Sequence, residues 1–497
     1  MRSLTQPIDR VAIVLIVALS LLIGILLLSG NHASARVRDF SWQGKQVGAD
    51  DTAFTLTFSR PMNHASVESN LRIEPPLAGR VSWAGRRMAY TLNTPAPYGT
   101  QFQVKLPNAQ DRFASDGKVS MQPFTGLFET HDRAFAYIGV SGEEAGRLVL
   151  FNLNQQQHQI LTPKDMVVME FKAYPRGDRL LFAATQRTTQ PTALTEQQLY
   201  TVTTGIQVES PMQPDAQAAP VKALPSTAPL GTVALVLDNK EYQNLKFDLS
   251  ADGNVIVVQR VNRANPNDFG PWLVKAGEAP QALKGEPGGD FLITPDSNSL
   301  AIAQGQGLAI LPLQPNAKPL NFLPKFGMVL SFTKDGSLAT MVKFNTDNTR
   351  SLFLVGNQGD PKELLRTTGS ILSARFDPTK QTLYCLLTEL LTGGNVYQEQ
   401  PYLAAIDLKT AKLRPLVMLP KQRDVQVSLS PDGLALLFDQ TTEATRDDDA
   451  GGQLRDSTGN AIASSRLWLL PLDPANPAAK IQPESLPLTG LRPLWLP

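Results

Sequence analysis

The sequence predicts an all-β fold class: an N-terminal transmembrane helix, a small β-sandwich and then a β-propeller, for which seven blades are favoured and six are possible. Three observations support this prediction. An uncharged run covers residues 11–30, short alternating segments fill residues 38–131, and a strand-turn-strand pattern recurs between Glu170 and Phe438. At roughly 100 to 200 residues per domain, 497 residues leave room for several domains.

The composition excludes several classes of function. The net charge is +1 with 18% charged residues, so the chain lacks the excess of Lys and Arg that a nucleic-acid-binding surface needs. Cys385 is the single cysteine, which excludes an intramolecular disulfide and a thiolate zinc site. The four histidines lie far apart in the sequence. We therefore expect no nucleic-acid partner, no metal and no cofactor.

Residues 11–30 predict a transmembrane anchor, because about 20 apolar residues span a bilayer as a helix. A cleaved signal peptide is the alternative: Ala33-Ser34-Ala35 resembles a cleavage site, but the apolar region of a signal peptide is usually about 7 to 15 residues long. Basic residues flank both ends of the run almost equally, so charge does not decide the orientation. The short tail, residues 1–10, suggests a cytoplasmic N-terminus. The rest of the chain is then expected outside the cytoplasm, in the periplasm or on the cell surface.

The segment 38–131 predicts a small sandwich, because short alternating strands such as TAFTLTFS (52–59) and TQFQVKLP (100–107) are separated by Pro, Gly and Asn clusters. It contains F-S-x-P-M at 58–62, a predicted short helical turn at 64–69 and G-T-x-F at 99–102. With these motifs it resembles the bacterial Ig-like domain of surface-layer proteins, although Phe102 stands where Tyr is usual. The resemblance implies a spacer or adhesive module without chemistry of its own.

A longer repeat begins after residue 134. EFKAYPRGDRLLF (170–182) aligns with KFDLSADGNVIVV (246–258), and four further copies follow. The residues at one aligned turn position are Tyr174, Ser250, Thr294, Thr333, Asp377 and Ser430. The steps between them are 76, 44, 39, 44 and 53 residues, mostly near the length of one propeller blade. Apolar residues alternate before each turn, as expected for strands, and Asp-Gly pairs suit tight turns.

These units resemble the S-P-D-G repeats of TolB-like and WD40-like β-propellers, and the resemblance covers residues 134–497. Flexible insertions are expected near 206–230 and 443–465. The segment 134–162 is predicted to form the three outer strands of a blade that lacks its inner strand. The segment 488–497 is predicted to supply the missing strand. Pairing these two segments would close the ring and remove its open edges.

No catalytic signature is present: the sequence contains no GxSxG elbow, no phosphate loop and no HExxH helix. Cys385 lies among apolar neighbours and is expected to be a buried, inert thiol. Polar residues on the predicted innermost strands are the candidate binding residues, because those strands surround the central channel of a propeller. They are Glu170, Lys172, Lys246, Asp248, Asp290, Arg375 and Gln426. Ion pairs between blades would explain the same residues equally well.

Three functions remain open. The favoured one is a non-enzymatic, membrane-anchored scaffold outside the cytoplasm that docks an envelope protein or a glycan on its propeller. The second is a lactonase-like or glycosidase-like hydrolase with its site in the channel. The third is an envelope sensor or solute-binding module, which would need a deep polar channel with a closed bottom.

Overall fold

The chain divides into two compact units. In this computed structural model, the first unit comprises Met1–Lys45, Thr52–Asn93 and Gln101–Glu129, and the second comprises Gln46–Asp51, Thr94–Thr100 and Thr130–Pro497. The structure describes residues 7–28, 34–112, 121–187, 196–206, 229–283, 288–305, 307–314, 321–323, 325–357, 359–391, 398–422, 424–443, 454, 462–474, 476, 479 and 481–497. Most of the two predicted insertions, 206–230 and 443–465, lies outside these residues.

The transmembrane part of the predicted fold class is wrong. Helix α1 runs Pro7–Leu28, but within the described residues no helix is both long and apolar enough to cross a membrane.

Two four-stranded sheets are built from residues 37–130. The first has the order β1-β3-β6-β5 and the second the order β2-β8-β7-β4. Their strands are β1 (Val37–Phe40), β2 (Gln46–Val47), β3 (Ala53–Phe58), β4 (Arg72–Glu74), β5 (Gly79–Ala84), β6 (Arg87–Leu92), β7 (Gln101–Leu106) and β8 (Phe124–Thr130).

Aromatic side chains fill the space between these sheets. Trp42 lies 5.4 Å from Phe54 of β3 and 4.9 Å from Phe128 of β8, measured between ring centroids. In the F-S-x-P-M motif, Phe58 and Met62 are fully buried. The short helix α2 (His64–Asn70) then begins at Asn63, whose side chain accepts a hydrogen bond from Ser66 N. The motif residues therefore have core and turn roles, while the Ig-like resemblance stays a prediction.

The second unit contains seven four-stranded antiparallel sheets within the described residues, as predicted for seven blades. Their strands are β9 (Ala134–Gly139), β10 (Leu148–Asn152), β11 (Gln157–Ile160), β12 (Met166–Ala173), β13 (Arg179–Gln186), β14 (Gln198–Thr203), β15 (Val233–Leu237), β16 (Tyr242–Leu249), β17 (Val255–Asn262), β18 (Phe269–Lys275), β19 (Gln281–Ala282), β20 (Phe291–Ile293), β21 (Ser299–Gln304), β22 (Gly307–Pro312), β23 (Asn321–Leu323), β24 (Met328–Phe332), β25 (Leu338–Phe344), β26 (Arg350–Gly356), β27 (Lys362–Thr367), β28 (Ile371–Phe376), β29 (Thr382–Leu390), β30 (Glu399–Asp407), β31 (Leu413–Met418), β32 (Val427–Leu429), β33 (Ala435–Glu443), β34 (Ile462–Pro471), β35 (Glu484–Ser485) and β36 (Gly490–Trp495).

The ring is closed by the C-terminal strand. Blade 1 has the order β36-β9-β10-β11, so β36 is its innermost strand, and blades 2 to 7 each use four consecutive strands from β12 to β35. Gly490 pairs with Gly139 and Trp495 with Phe135, which confirms the predicted closure. A buried hydrophobic cluster lies between each pair of neighbouring blades. The cluster between blades 7 and 1 completes the circle.

In blades 3 to 7, the turn after the innermost strand is held by its own side chains. In blade 3, the Ser250 hydroxyl donates to Asp252 Oδ1 at 2.5 Å and accepts a hydrogen bond from Val255 N at 2.9 Å. Gly253 adopts a positive φ of 73°, which glycine tolerates without strain. Blade 7 repeats these contacts at Ser430 and Asp432. The aligned aspartates therefore stabilise turns, as the sequence predicts.

One buried carboxylate ties the closing strand to blade 7. Asp439 of β33 is 1% exposed, and its two oxygens accept hydrogen bonds from Gln426 N and Arg492 N, both at 2.7 Å. Desolvation outweighs these two hydrogen bonds and the positive charge of Arg492, and it raises the pKa of Asp439 to about 6. Asp439 thus joins the beginning of the innermost strand of blade 7 to that of blade 1.

We expect that deletion of residues 490–497 lowers the melting temperature by about 5–10 °C, because it removes several kcal/mol of burial at Trp495 and its neighbours. The deletion also leaves β9 with an unpaired edge, which favours aggregation. Thermal unfolding with light scattering measures both effects. The control lacks only Pro497, which is exposed and lies outside β36. Equal melting temperatures for the two truncated chains would contradict closure by β36.

The substitution Asp439→Asn should cost about 1–3 kcal/mol at pH 4, because the asparagine NH2 group is a donor that meets one of the two backbone N–H donors, whereas the neutral carboxyl of Asp439 keeps acceptor lone pairs on both oxygens. The folded-state pKa of about 6 lies above the unfolded-state value near 3.9. The stability that Asp439 contributes is therefore fully present below about pH 4 and is lost as the pH rises through 6. Urea unfolding between pH 4 and 7 should show the advantage of the wild type narrowing with rising pH. Asp360→Asn, at an exposed position, should show no such trend, and a constant Asp439→Asn difference would refute the assignment.

Candidate functional site

The candidate site is the set of polar side chains on the innermost strands, which we call the channel face. Side chains two residues apart on a strand point to the same side, and two aligned positions of the repeat carry these groups. Six of the seven predicted residues lie on or next to the innermost strands of blades 2, 3, 4 and 7, and Arg375 lies on that of blade 6. The channel face comprises Glu170, Lys172, Lys246, Asp248, Asp290, Arg375, Gln426 and Arg492.

Four of these residues form two ion pairs between neighbouring blades. Lys172 Nζ of blade 2 lies 2.5 Å from Asp248 Oδ1 of blade 3. The other oxygen of Asp248 accepts a hydrogen bond from Ile293 N of blade 4 at 2.7 Å. Lys246 Nζ of blade 3 lies 2.6 Å from Asp290 Oδ1 of blade 4. These four residues therefore form ion pairs between blades, which the sequence analysis gave as the alternative to ligand binding.

Arg375 differs from these four residues, because no neighbouring blade supplies it with a described partner. Its side chain is exposed to solvent. Desolvation lowers its pKa, and the negative charge of Asp248 acts in the opposite direction. Asp248 lies on blade 3, on the far side of a seven-bladed ring from blade 6. In the described part of the chain, the Arg375 guanidinium forms no ion pair or hydrogen bond.

Glu170 and Gln426 are the remaining predicted residues. Glu170 of blade 2 is half-buried, and Gln426 of blade 7 is exposed. The main-chain N–H of Gln426 donates to Asp439, but neither side chain forms a hydrogen bond or ion pair with a described residue. The structure thus places Glu170 on an innermost strand and Gln426 directly before one, and gives their side chains no described partner.

The sequence analysis missed Arg492. This residue lies on β36 in the aligned position of Lys246 and Gln426, and it adopts a left-handed φ of 51°. Its main-chain N–H donates to Asp439, while its guanidinium forms no ion pair or hydrogen bond with a described residue. The sequence analysis treated LTGLRPLWLP (488–497) only as the missing strand. An alignment of this segment with the other repeats would have placed Arg492 on the channel face.

Other groups considered in the sequence take no part in this site. Cys385 lies in β29 and is 2% exposed, and burial raises the pKa of its thiol. Among the described residues, no group of three or more His, Cys, Asp or Glu side chains is placed to hold a metal ion. Most of the acidic stretch 443–456 lies outside those residues.

No family model matches the chain, and no curated protein matches it. Several solved structures are similar to it. TolB from Acinetobacter baumannii is 9% identical, with 86% of this chain and 83% of that chain covered and a TM-score of 0.40. The periplasmic gluconolactonase of Pseudomonas aeruginosa is 12% identical, with 72% and 96% covered and a TM-score of 0.40. A putative 6-phosphogluconolactonase from Bacteroides fragilis is 12% identical, with 73% and 97% covered and a TM-score of 0.39.

These similarities assign no activity and no partner to the chain. The seven four-stranded sheets and their closure support the propeller that the sequence predicts. A TolB is among the similar structures. The Ig-like part of the predicted resemblance is not confirmed.

The two ion pairs should differ in their contribution to stability. Asp248→Ala leaves Lys172 and Ile293 N without their acceptor in a largely buried setting, which should cost about 1–3 kcal/mol. Asp290→Ala removes an exposed partner of Lys246 and should cost less than about 1 kcal/mol. Urea unfolding at pH 7 compares the two variants. Equal losses would show that the burial of Asp248 does not distinguish the two pairs.

Proposed function

We propose that the propeller is a binding module that docks a partner macromolecule of the cell envelope at its central channel, without catalysing a reaction. The observation that carries this proposal is the Arg375 side chain on the innermost strand of blade 6, which is exposed and forms no ion pair or hydrogen bond within the described residues. An exposed guanidinium keeps its charge and its N–H donors available. A partner that supplies acceptor groups of opposite charge could therefore bind it.

The carboxylates of the channel support binding over hydrolysis. Asp248 and Asp290 are each held by a lysine, and Asp248 also accepts a main-chain hydrogen bond. A glycosidase needs one carboxyl group as a proton donor and a second as a base or nucleophile. These contacts occupy Asp248 and Asp290, so Glu170 is left as the channel-face carboxylate without a described partner, whereas a glycosidase needs two available carboxyl groups.

We also propose that the propeller lies outside the cytoplasm. The partner is then an envelope protein or a glycan, as expected from the sequence. A sensor or solute-binding module would use the same charged channel for a small molecule, and the size of the bound species distinguishes it from a docking module.

The substitution Arg375→Glu should reduce recovery of the partner about tenfold or more, because a hydrogen bond between charged groups contributes about 1.5–3 kcal/mol and 1.4 kcal/mol corresponds to a factor of ten. The measurement is crosslinking in intact cells, followed by purification of the full chain and quantification of the crosslinked species. Arg176→Glu makes the same charge change at an exposed turn of blade 2 and serves as the control.

Unchanged recovery with Arg375→Glu, with both variants folded by thermal unfolding, would contradict docking at the channel. Turnover of a sugar lactone or a glycoside by the purified wild-type chain would replace the proposal with the hydrolase alternative. Capture of a small molecule without any macromolecule would replace it with the sensor alternative.

A further inference from the structure

The channel face is divided into two parts with different hydrogen-bonding states. On blades 2 to 4, the two ion pairs use the charges of Lys172, Asp248, Lys246 and Asp290. On the consecutive blades 6, 7 and 1, the side chains of Arg375, Gln426 and Arg492 form no ion pair or hydrogen bond with any described residue. We call these three residues the donor arc, because two guanidinium groups and one amide carry N–H donors.

The spacing of the repeat allows neighbouring members of the arc to reach a shared ligand. Gln426 and Arg492 occupy the aligned position that in blades 3 and 4 holds Lys246 and Asp290, whose side chains meet at 2.6 Å. Arg375 occupies the aligned position of Lys172 and Asp248, which also meet across neighbouring blades. Side chains at the same aligned position on adjacent blades therefore lie within reach of one another, which applies to Gln426 and Arg492. Arg375 lies at the second aligned position, on the neighbouring blade 6.

Asp439 holds two members of the arc in place. One carboxylate oxygen accepts from Gln426 N and the other from Arg492 N, so a single buried side chain sets the separation of the two main-chain positions. Binding groups that are already positioned lose less conformational entropy when a ligand arrives. The arc is thus partly preorganised by the same contact that ties the closing strand to blade 7.

The chemistry of the donors identifies the ligand class. A guanidinium group is planar and permanently charged, and its N–H groups match the geometry of carboxylate and phosphate oxygens. Of the nearby carboxylates, Asp248 is engaged by Lys172 and Ile293 N, and Asp439 by two main-chain N–H groups. Glu170 forms no bond to these donors within the described residues. Their N–H groups therefore remain available to an external anion.

We propose that the donor arc binds an oxyanion, a carboxylate or phosphate group of the ligand, with Arg375 and Arg492 as the charged donors and Gln426 as the third. This inference rests on the proposed function and names the chemistry of its partner. Glu170 limits the arc on blade 2, next to Arg492 on blade 1. Its negative charge repels an anion, so the side chain of Glu170 should weaken binding.

The test is calorimetric titration of the purified full chain, at constant ionic strength, with inorganic phosphate and in a separate arm with glutarate. Arg375→Gln and Arg492→Gln should each weaken binding of the preferred anion about tenfold or more. Arg375→Lys should weaken it less, because it keeps the charge and loses the planar fork. Glu170→Gln should strengthen binding by removing the repulsion. Arg176→Gln is the matched control outside the channel and should have no effect.

Preference for phosphate or for glutarate assigns the kind of oxyanion, and either preference with the expected variant effects supports the inference. Binding of neither anion at tens of millimolar would overturn it, as would binding that Arg375→Gln, Arg492→Gln and Arg176→Gln leave equally unchanged. Thermal unfolding of each variant separates lost binding from lost folding. Should crosslinking recover a partner that depends on Arg375 while neither anion binds, the oxyanion site is refuted and channel docking stands. Anion binding without any crosslinked macromolecule would support the oxyanion site and contradict docking of a macromolecule at the channel.

Discussion

The antiparallel pairing of β36 with β9 is the interaction on which the larger unit depends. Blade 1 takes three strands from its beginning and its innermost strand from the C-terminus. Without β36, the edge of β9 would stay unpaired and the hydrophobic cluster between blades 7 and 1 would lose Trp495. The channel is enclosed by seven blades only because the two ends of the unit share one sheet.

The polar groups around the channel serve two different purposes. Lys172 and Asp248 hold neighbouring blades together, and the main-chain contact of Asp248 extends that connection to a third blade. Arg375 and Arg492 make no comparable bond within the described residues, although Asp439 holds the main chain of Arg492. The two sides of the channel face therefore differ: the charges on blades 2 to 4 are paired, whereas Arg375 is exposed and Arg492 is half-buried without a described ion pair.

Much of the fold follows from local sequence patterns. Period-two alternation and the Ser-x-Asp-Gly turns predict the strands, because side-chain direction and turn hydrogen bonds depend on residues close in sequence. Of the candidate site, the positions on the innermost strands were predictable for the same reason. The buried acceptor Asp439 was not, because a lone aspartate in an apolar strand gives no sign of the two distant N–H groups it binds. The transmembrane prediction is wrong, since no helix among the described residues is both long and apolar enough to cross a membrane.

The sequence by itself determined the repeat, its turns and the residues that alternate toward the channel, since these depend on neighbours within a few positions. Only the tertiary structure decided which of those residues are partners. Lys172 forms an ion pair with Asp248, and Lys246 forms one with Asp290. The charge of Asp248 also acts on Arg375 of blade 6, although these two side chains form no ion pair. Such pairings depend on the curvature and closure of the ring, which bring together side chains that are distant in sequence, and local patterns carry no information about those distances.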